Sequence, residues 1–474
     1  MLSLDKELIG TGAKSRPGLR DNGDLARRLA VSASHRPAGT QLLDAWIAER
    51  RRRSPFEVVR VPFERLDGWS FDSDSGDLVH ASGRFFAVRG LHVQTNYGHV
   101  PEWWQPILDQ PERAILGILV KEIDGVLHFL MQAKMEPGNV NTVQISPTVQ
   151  ATPSNYLRAH NGDAARYVEY FVERGRARVL VDVLQSEQGS WFRGKQNRNM
   201  VMEVTDDVEH HDDFIWLTLG QIHALLETPN VVNMDSRTVL SCLPLASEHT
   251  HGEGDERALS SSLEISSWLT ERKASYELTT RLVPLRSVVG WTRSRDEISH
   301  STGRYFEIVG VEVHATNREA RNWCQPLLAP HGSGLAAFVV RRIGGVLHVL
   351  ARADLRPGYR DVVELGPTVQ CTPENFVDTP ERRPEFLDLV LSDDVVVRYD
   401  VVQSEEGGRF RRAVTRHLIV EVDEHAALST TLDYMWVTLA QLEGLIRSSY
   451  LVNIEARSLF TCLHALSRGR EPGL

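Results

Sequence analysis

The feature that most constrains the fold of this chain is an internal repeat. Residues 82–86 (SGRFF) recur as TGRYF at 302–306, and SPTVQATPSNY at 146–156 recurs as GPTVQCTPENF at 366–376. Three later blocks recur 218 to 220 residues further on: LQSEQGSWFR as VQSEEGGRFR, FIWLTLGQIHALL as YMWVTLAQLEGLI, and VVNMDSRTVLSCL as LVNIEARSLFTCL. A unit of this length is too long for a solenoid repeat, so the pattern indicates one domain duplicated head to tail.

The repeat also predicts the domain boundaries. The leading helix is duplicated, because WIAER at 46–50 matches WLTER at 268–272. Between the copies lies a polar stretch rich in Gly and Ser, which is typical of a linker. We expect an N-terminal extension at 1–39, a first repeat at 40–245, a linker at 246–261 and a second repeat at 262–468.

The residue pattern predicts an α+β fold with a mixed sheet and outer helices in each repeat. Runs rich in Val, Ile, Leu and Phe predict strands: RFFAVRGLHV, AILGILVKEI, GVLHFLMQAKM and ARVLVDVL. Asp-Gly in IDGVLHFL, which recurs as IGGVLHVL, predicts a hairpin. Helical spacing predicts a helix over WLTLGQIHALLE after an Asp cap, and further helices at 40–53 and 259–273.

Composition excludes several classes of function. The net charge of −10 disfavours binding to nucleic acid, and no apolar stretch approaches the roughly 20 residues of a membrane span. Four scattered cysteines without a CxxC pair fit reduced thiols, and the N-terminus lacks a signal-peptide pattern. We therefore expect a cytoplasmic protein.

The PTVQ-T-P-N block is the first candidate binding segment. It contains two prolines and lacks the alternation of a half-buried strand, so we expect a loop that presents hydroxyl and amide groups. Such groups suit hydrogen bonding to a sugar and a base. The alternative is a turn whose polar side chains satisfy their own backbone.

The QSE-x-G-x-x-FR block is the second candidate. Arg193 and Arg411 follow a Gly-containing turn, and a guanidinium can bind a diphosphate with two hydrogen bonds. The alternative is an ion pair with Glu187 or Glu405, which duplication would also preserve.

A Gly-Trp pair is the third candidate. Trp69 and its counterpart Trp291 stand next to glycine in a segment that is otherwise polar. Each indole either stacks on a nucleobase or belongs to the core, as Trp usually does.

No cofactor or metal site is expected. No GxGxxG follows a strand, and the acid/His clusters at 209–213 and 248–256 lack a second ligand pair. Both clusters fit solvated loops, and the Gly-Thr-Gly-Ala-Lys stretch at 10–14 lacks the spacing of a phosphate loop and fits a flexible terminus.

At these blocks the chain resembles the NDP-hexose 2,3-dehydratase family. The GW, SGRFF, SPTVQ-T-P-NY, QSE-G-F and LVN-R signatures stand in both repeats, over about residues 40–465. The resemblance implies tandem Nudix-like domains, a homodimer, no cofactor and a dTDP-sugar substrate. Two copies predict two nucleotide-sugar sites per chain.

The resemblance also implies the residues that bind the nucleotide sugar. In the first repeat they are Trp69, Thr152, Pro153, Ser154, Asn155, Tyr156, Ser190 and Arg193. In the second repeat they are Trp291, Arg356, Gln370, Cys371, Thr372, Asn375, Phe376, Gly408, Arg409, Phe410 and Arg411.

The sequence departs from true Nudix hydrolases in one respect. Their helix carries a run of glutamates that holds magnesium, and no such run stands in this chain. Without these ligands the metal that drives pyrophosphate cleavage has no place, so we expect the fold without the hydrolysis.

The reaction implied by the resemblance is loss of water across C2–C3 of dTDP-4-keto-6-deoxy-D-glucose, which yields a dTDP-3,4-diketo-2,6-dideoxyglucose. A base removes the C3 proton that the C4 ketone acidifies, and an acid assists the leaving C2 hydroxyl. A nonenzymatic nucleotide-sugar sensor and a degenerate nucleotide hydrolase are the alternatives.

Positions at which the two copies differ are candidates for chemistry that only one copy retains. They are Lys134/Asp354, Gln188/Glu406, Trp191/Arg409 and Asn199/His417. We nominate Glu187 as the base and Lys134 as the group near the oxyanion or leaving hydroxyl. The mirror choice is Glu405 with His417.

Overall fold

The computed structural model describes residues 22–36, 40–53, 55–153, 165–245, 257–315, 322–426, 428 and 430–467. Its helices are α1 Asn22–Ser34, α2 Thr40–Arg53, α3 Glu169–Val172, α4 Leu219–Leu226, α5 Met234–Ser241, α6 Ser262–Ser275, α7 Leu387–Val390, α8 Leu439–Ile446 and α9 Ile454–Ser467. Among these helices, none is long and apolar enough to cross a membrane.

Strands make up most of the regular structure, as an α+β fold requires. Those of the first repeat are β1 Phe56–Val61, β2 Trp69–Phe71, β3 Leu78–His80, β4 Ala87–Thr95, β5 Glu102–Asp109, β6 Ile115–Ile123, β7 Val126–Met135, β8 Val143–Ser146, β9 Val149–Ala151, β10 Arg178–Ser186, β11 Gln196–Val204 and β12 Phe214–Thr218. Those of the second are β13 Leu278–Val283, β14 Trp291–Arg293, β15 Glu297–His300, β16 Phe306–Ala315, β17 Asn322–Pro330, β18 Gly334–Ile343, β19 Val346–Asp354, β20 Glu364–Gly366, β21 Val369–Cys371, β22 Val396–Ser404, β23 Val414–Glu421 and β24 Tyr434–Thr438.

Within the described residues, each repeat contains one large mixed sheet of seven strands. In the first repeat the strand order is β10-β11-β6-β7-β12, and β8 pairs with β7 and β9 with β6. In the second repeat the order is β22-β23-β18-β19-β20, and β24 pairs with β19 and β21 with β18. The β6–β11 and β18–β23 pairs are parallel, and the other pairs are antiparallel. The expected mixed sheet is therefore confirmed.

The two repeats exchange a strand. A smaller sheet of β2 to β5 takes β13 of the second repeat as its edge, and the matching sheet of β14 to β17 takes β1 of the first. The exchanged strands pass very close to Gly90 and Gly310, where a Cβ would lie 2.6 Å from the Val283 carbonyl and 2.8 Å from that of Val61. Because any side chain would block this approach, both repeats need glycine there.

Two local expectations have different outcomes. The Asp-Gly hairpin between β6 and β7 is confirmed, with φ of 51° at Asp124 and 78° at Gly125. The helix expected from Trp216 begins instead at Leu219, because residues 214–218 pair with β7 as strand β12. Its cap is Thr218, whose hydroxyl accepts from the Gln221 backbone N–H in a capping box.

The repeats share one core. The largest buried cluster combines apolar residues of both repeats, and α5 packs directly on α9. The N-terminal extension takes part, since the Ser32 hydroxyl on α1 donates to the Leu127 carbonyl at 2.6 Å and accepts from the Leu219 N–H at 2.8 Å. The duplicated halves thus form a single packed unit, although the sequence suggested tandem domains joined by a linker.

Candidate functional site

The PTVQ segment connects two short strands and enters the second of them, rather than forming the expected loop. Strand β8 pairs with β7 and strand β9 pairs with β6, so the chain crosses between them at Pro147 and Thr148. The Thr148 hydroxyl accepts from the Leu119 N–H at 2.9 Å and donates to the Leu130 carbonyl. Thr368 does the same in the second repeat. This threonine therefore completes backbone hydrogen bonding, which explains its presence in both copies.

The QSE turn of each repeat lies against the other repeat. Gly138 donates its N–H to the Gly407 carbonyl at 2.7 Å and accepts from the Arg412 N–H at 2.7 Å. By the same geometry, Gly358 donates to Gly189 and accepts from the Gly194 N–H, both at 2.7 Å. Each candidate site is consequently built from both repeats.

Two buried arginines hold the QSE turns by hydrogen bonds to their backbone. Arg237 on α5 donates to the carbonyl of Ser404 at 2.8 Å, and Arg457 on α9 donates to that of Ser186 at 2.6 Å. Both arginines are fully buried. Because Ser186 and Ser404 directly precede the glutamates of the QSE blocks, each helix positions the turn of the opposite repeat.

One group of side chains, which we call the first site, combines both repeats. It consists of Lys134, Glu136 and Gln150 of the first repeat and Glu406 and Arg409 of the second. The Gln150 amide donates to Glu136 Oε1 at 3.0 Å, and the Lys134 ammonium lies 3.6 Å from the same oxygen. A Cβ at position 408 would collide with Glu406 Oε1 and lie 3.6 Å from Glu136 Oε1. The two carboxylates therefore flank the Gly408 turn.

Asp235 on α5 extends this site. Neither of its carboxylate oxygens has a hydrogen-bond partner among the described residues, although the side chain is buried. Burial raises the pKa of Asp235 well above its usual range, and the charges of Glu187, Glu406 and Glu136 raise it further. A buried carboxyl next to other carboxyls is most stable when it keeps its proton.

Glu406 and Glu187 each have one carboxyl oxygen that makes a hydrogen bond and one that makes none to the described residues. Glu406 Oε1 accepts from the Gly408 N–H at 2.9 Å, and Glu187 Oε1 accepts from the Asn197 amide at 2.6 Å. The other oxygen of each is buried and without a partner among the described residues. Burial, followed by the charge of Glu136, raises the pKa of Glu406 to about 7, and burial also raises that of Glu187.

The equivalent group in the second repeat, which we call the second site, lies around Asp354, Arg356, Tyr359 and Gln370. Asp354 is bound by Arg352 at 2.6 Å, by Arg356 at 2.8 Å and by the Tyr359 hydroxyl at 3.0 Å. Burial opposes its charge, but the two guanidinium groups outweigh burial and hold the pKa of Asp354 below its usual range. This carboxylate is committed to ion pairs, in contrast to Glu406 and Asp235 of the first site.

The nominated catalytic pair is only partly brought together. Lys134 lies in the first site with Glu136 as its ion-pair partner, while Glu187 is 4% exposed and bonds to Asn197. The charge of Glu187 nevertheless acts on Asp235 and Glu406. The pair stays a prediction, to which the structure adds nearby carboxyls.

The mirror pair has less chemical freedom. Glu405 accepts from the Thr415 hydroxyl at 2.5 Å and from the Gln188 amide at 2.8 Å, so both of its oxygens are satisfied. His417 is fully buried, and burial lowers its pKa to about 3. An imidazole of such a low pKa is a weak base, and a carboxyl group with both oxygens hydrogen-bonded has no free oxygen to offer to a substrate.

The aromatic candidates lie largely between the two small sheets. Trp69 is 7% exposed and donates its indole N–H to the Cys324 carbonyl at 2.9 Å, and half-buried Trp291 donates to that of Trp104 at 3.0 Å. This geometry favours the core interpretation over stacking on a base. Phe410 is 1% exposed, which gives its side chain a core role and leaves its backbone beside Gly138.

The remaining candidates of the first repeat are dispersed. Thr152 and Pro153 follow β9 and are half-buried, whereas Ser154, Asn155 and Tyr156 lie outside the described residues. The Ser190 carbonyl accepts from Gln105 at 2.9 Å. Arg193 is about half exposed and lies 3.7 Å from Asp109, so the alternative of an ion pair with Glu187 is wrong.

The candidates of the second repeat divide between both sites. Arg356 and Gln370 belong to the second site, where the Gln370 side-chain oxygen accepts from Asn453 at 2.9 Å. Cys371 ends β21, and Thr372, Asn375 and Phe376 follow it in a short 3₁₀ turn with no buried side chain. Gly408 and Arg409 border the first site instead. Half-buried Arg411 donates its N–H to the Leu328 carbonyl.

Sequence reasoning missed several residues of these sites. Glu136 and Asp235 were not singled out, and neither was Asn233, which caps α5 and donates to the Ser146 hydroxyl at 2.9 Å. The aligned segments MEPGN and LRPGY carried a usable signal, because Glu136 of the first repeat aligns with Arg356 of the second directly before an unchanged Pro-Gly. That mismatch is of the same kind as the four that the sequence did reveal.

Comparisons with known proteins agree with this organisation. A family model described as NDP-hexose 2,3-dehydratase matches residues 40–243 and 262–463. The chain is 52% identical to a dTDP-4-dehydro-6-deoxy-alpha-D-glucopyranose 2,3-dehydratase of Saccharopolyspora spinosa, over 92% of this chain and 94% of that protein. Proteins of the same name from Amycolatopsis orientalis and Streptomyces violaceoruber are 50% and 46% identical, over 94% and 89% of this chain and 95% and 96% of theirs.

Proposed function

Because the chain belongs to the NDP-hexose 2,3-dehydratase family, we propose that it eliminates water across C2–C3 of dTDP-4-keto-6-deoxy-D-glucose. The product is a dTDP-3,4-diketo-2,6-dideoxyglucose, an intermediate suited to deoxysugar formation. The observation that carries this proposal is the first site, where carboxyls with free oxygens stand beside Lys134 and Arg409. Elimination next to a ketone needs such a set, since it moves protons and no electrons to an external acceptor.

We propose that the first site is the catalytic one. The ketone at C4 acidifies the C3 proton, which Glu187 removes, and the cationic Lys134 stabilises the enolate oxygen or the leaving hydroxyl. In the second site the equivalent of Lys134 is Asp354, which is held by two arginines. We propose that the second site binds a nucleotide sugar through Arg356 and Gln370 without carrying out the elimination.

Mass spectrometry tests the reaction. The purified chain is incubated with dTDP-4-keto-6-deoxyglucose, and we expect a product lighter by one water. Unchanged substrate mass together with tight binding would favour a nonenzymatic sensor instead. Release of dTMP in the presence of magnesium would favour a nucleotide hydrolase.

Two substitutions test the assignment of the base. We expect Glu187→Gln to lower kcat by about 10²- to 10⁴-fold, since that is the usual contribution of one proton transfer. The counterpart Glu405→Gln changes a carboxylate whose hydrogen bonds are already complete, so its effect on kcat should be smaller. Wild-type turnover in Glu187→Gln would remove Glu187 from the mechanism.

Other features follow from the resemblance and belong to the proposal. The large mixed sheets with outer helices support a Nudix-like arrangement in each repeat, with boundaries at 40–245 and 262–468 and a linker at 246–261. A homodimer in the cytoplasm and catalysis without a cofactor rest on the family resemblance and on the sequence. Gel filtration with light scattering tests the dimer.

A further inference from the structure

Glu406 occupies an unusual position in the first site. It follows strand β22 of the second repeat, yet it faces Glu136 of the first repeat across Gly408. One of its carboxyl oxygens accepts from the Gly408 N–H, and the other is buried without a partner among the described residues. The side chain is therefore held in place by one oxygen and free to react at the other.

The repeat itself shows that a carboxyl is not needed here for structure. The counterpart of Glu406 is Gln188, whose amide donates to Glu405 at 2.8 Å. The first-repeat counterpart of Glu405 is Glu187, whose charge acts on Glu406. An amide would be neutral in this position, whereas neighbouring buried carboxylates repel each other, which favours the protonated form of Glu406.

We propose that Glu406 is the catalytic acid of the first site and protonates the C2 hydroxyl as it leaves. The inference rests on the proposed function, because it supplies the acid which that reaction needs in addition to the base. The second repeat thereby donates a catalytic group to the site of the first. Gln188 cannot fill this role in the second site, since a neutral amide does not give up a proton at neutral pH.

The proton balance is complete without a further reactant. The base takes the C3 proton, and the electron pair of that C–H bond forms an enolate across C3 and C4. When the C4 ketone forms again, C2=C3 is made, the C2–O bond breaks, and Glu406 gives its proton to the departing oxygen as water. The resulting 3-hydroxy-enone then tautomerises: C2 gains a proton and the C3 hydroxyl loses one, which gives the 3,4-diketone. Because the proton on the base returns to the carboxyl cluster, each turnover releases one water and consumes no net proton.

The substrate's configuration agrees with this arrangement. In a glucose-configured ring the C3–H and C2–O bonds point to the same face, so acid and base must stand on the same side of the sugar. Glu187, Glu136 and Glu406 belong to one electrostatically coupled cluster. Carboxyl groups on one side of the sugar can thus serve both proton transfers.

The surroundings of Glu406 keep a proton available near neutral pH. Burial and Glu136 raise its pKa to about 7, and Arg409 opposes them. The titratable and charged groups around it are Glu136 just after β7, Glu187 after β10, Asp235 on α5, Lys195 before β11 and Arg409 on its own turn. The protonated acid is lost as pH rises through about 7, so kcat should fall above that pH.

The test is Glu406→Gln, which installs the side chain that the second site already uses. We expect kcat to fall at least about 100-fold, with KM and dTDP affinity within about twofold of wild type and an unchanged Tm. Glu406→Asp retains an acid and should keep part of the activity. The alkaline decline of kcat that we expect for wild type should be absent from the residual activity of Glu406→Gln.

The outcomes separate this inference from the proposed function. A wild-type chain that releases no water from the substrate refutes the proposed function. An active wild type together with a Glu406→Gln variant of equal kcat refutes the role of Glu406 alone. If Glu406→Gln does not fold, the wild-type profile decides: kcat that stays level from pH 6 to 9 overturns the inference, and a decline near pH 7 supports it.

Discussion

The contact between Gly138 and the turn of the second repeat gives a prediction that tests the shared construction of the first site. In Gly138→Ala the new methyl group would collide with the Phe410 carbonyl and lie 2.7 Å from the Gly407 carbonyl. The second-repeat turn that carries Glu406 must then move away. Gly358→Ala is the matched counterpart, because its methyl would meet the Phe192 and Gly189 carbonyls in the same way and move the first-repeat turn that carries Glu187.

The expected loss of stability can be estimated from the contacts. Two backbone hydrogen bonds contribute roughly 2 kcal/mol together, and overpacking adds about 1 kcal/mol or more, for a total of about 3 kcal/mol. At roughly 2.1 cal/mol/K per residue, one-step unfolding of a chain of 474 residues has an entropy near 1 kcal/mol/K. The Tm should therefore fall by about 3 °C, and by a similar amount in both variants.

Both variants should lose activity. Displacing Glu406 or Glu187 by about 1 Å can cost on the order of 100-fold in turnover, so kcat should fall in each variant by far more than the small change in Tm explains. Melting curves and the release of water from dTDP-4-keto-6-deoxyglucose measure both quantities. Wild-type kcat in either variant, together with a lowered Tm, would refute the placement of the catalytic residue on the turn that the variant moves.

Two further predictions concern stability. Thr148→Val and Thr368→Val each leave a buried N–H unpaired and should lower the free energy of unfolding by about 1–3 kcal/mol in urea titrations; unchanged stability with weaker substrate binding would instead assign these hydroxyls to the ligand. Burial raises the pKa of Glu364 to about 7, so this carboxyl binds its proton more tightly in the folded chain than in the unfolded chain. The stability that the proton contributes at acid pH is therefore lost as pH rises through 7. The loss should be about 3 kcal/mol between pH 4 and pH 8 and should diminish in Glu364→Gln; a free energy of unfolding that rises over this range in wild type would contradict it.

The sequence predicted the large sheets well because their information is local. Apolar runs such as residues 114–123 and the Asp124-Gly125 turn each specify a strand or a hairpin by themselves. The error at Trp216 has a physical origin: apolar spacing cannot distinguish the end of a buried strand from the first turn of a helix, and pairing with β7 decides between them. Thr148 was misjudged for a related reason, since its partners lie on other strands.

The exchange between repeats could not be inferred from one sequence. Strands β1 and β13 have similar patterns, so either fits the edge of either small sheet, and only the packed structure shows that they change places. The mismatched pairs were nevertheless informative. Lys134, Glu406 and Arg409 were singled out in different copies, and the fold brings them to the same site.

The most direct test of a site shared between the repeats is a double-mutant cycle between Lys134 and Glu406. The kcat/KM for release of water is measured for wild type, Lys134→Gln, Glu406→Gln and the double variant. Groups that act on the same transition state are strongly non-additive, so we expect the double variant to be little worse than the poorer single variant. Losses that multiply, or full activity in either single variant, would contradict a catalytic site built from both halves of the chain.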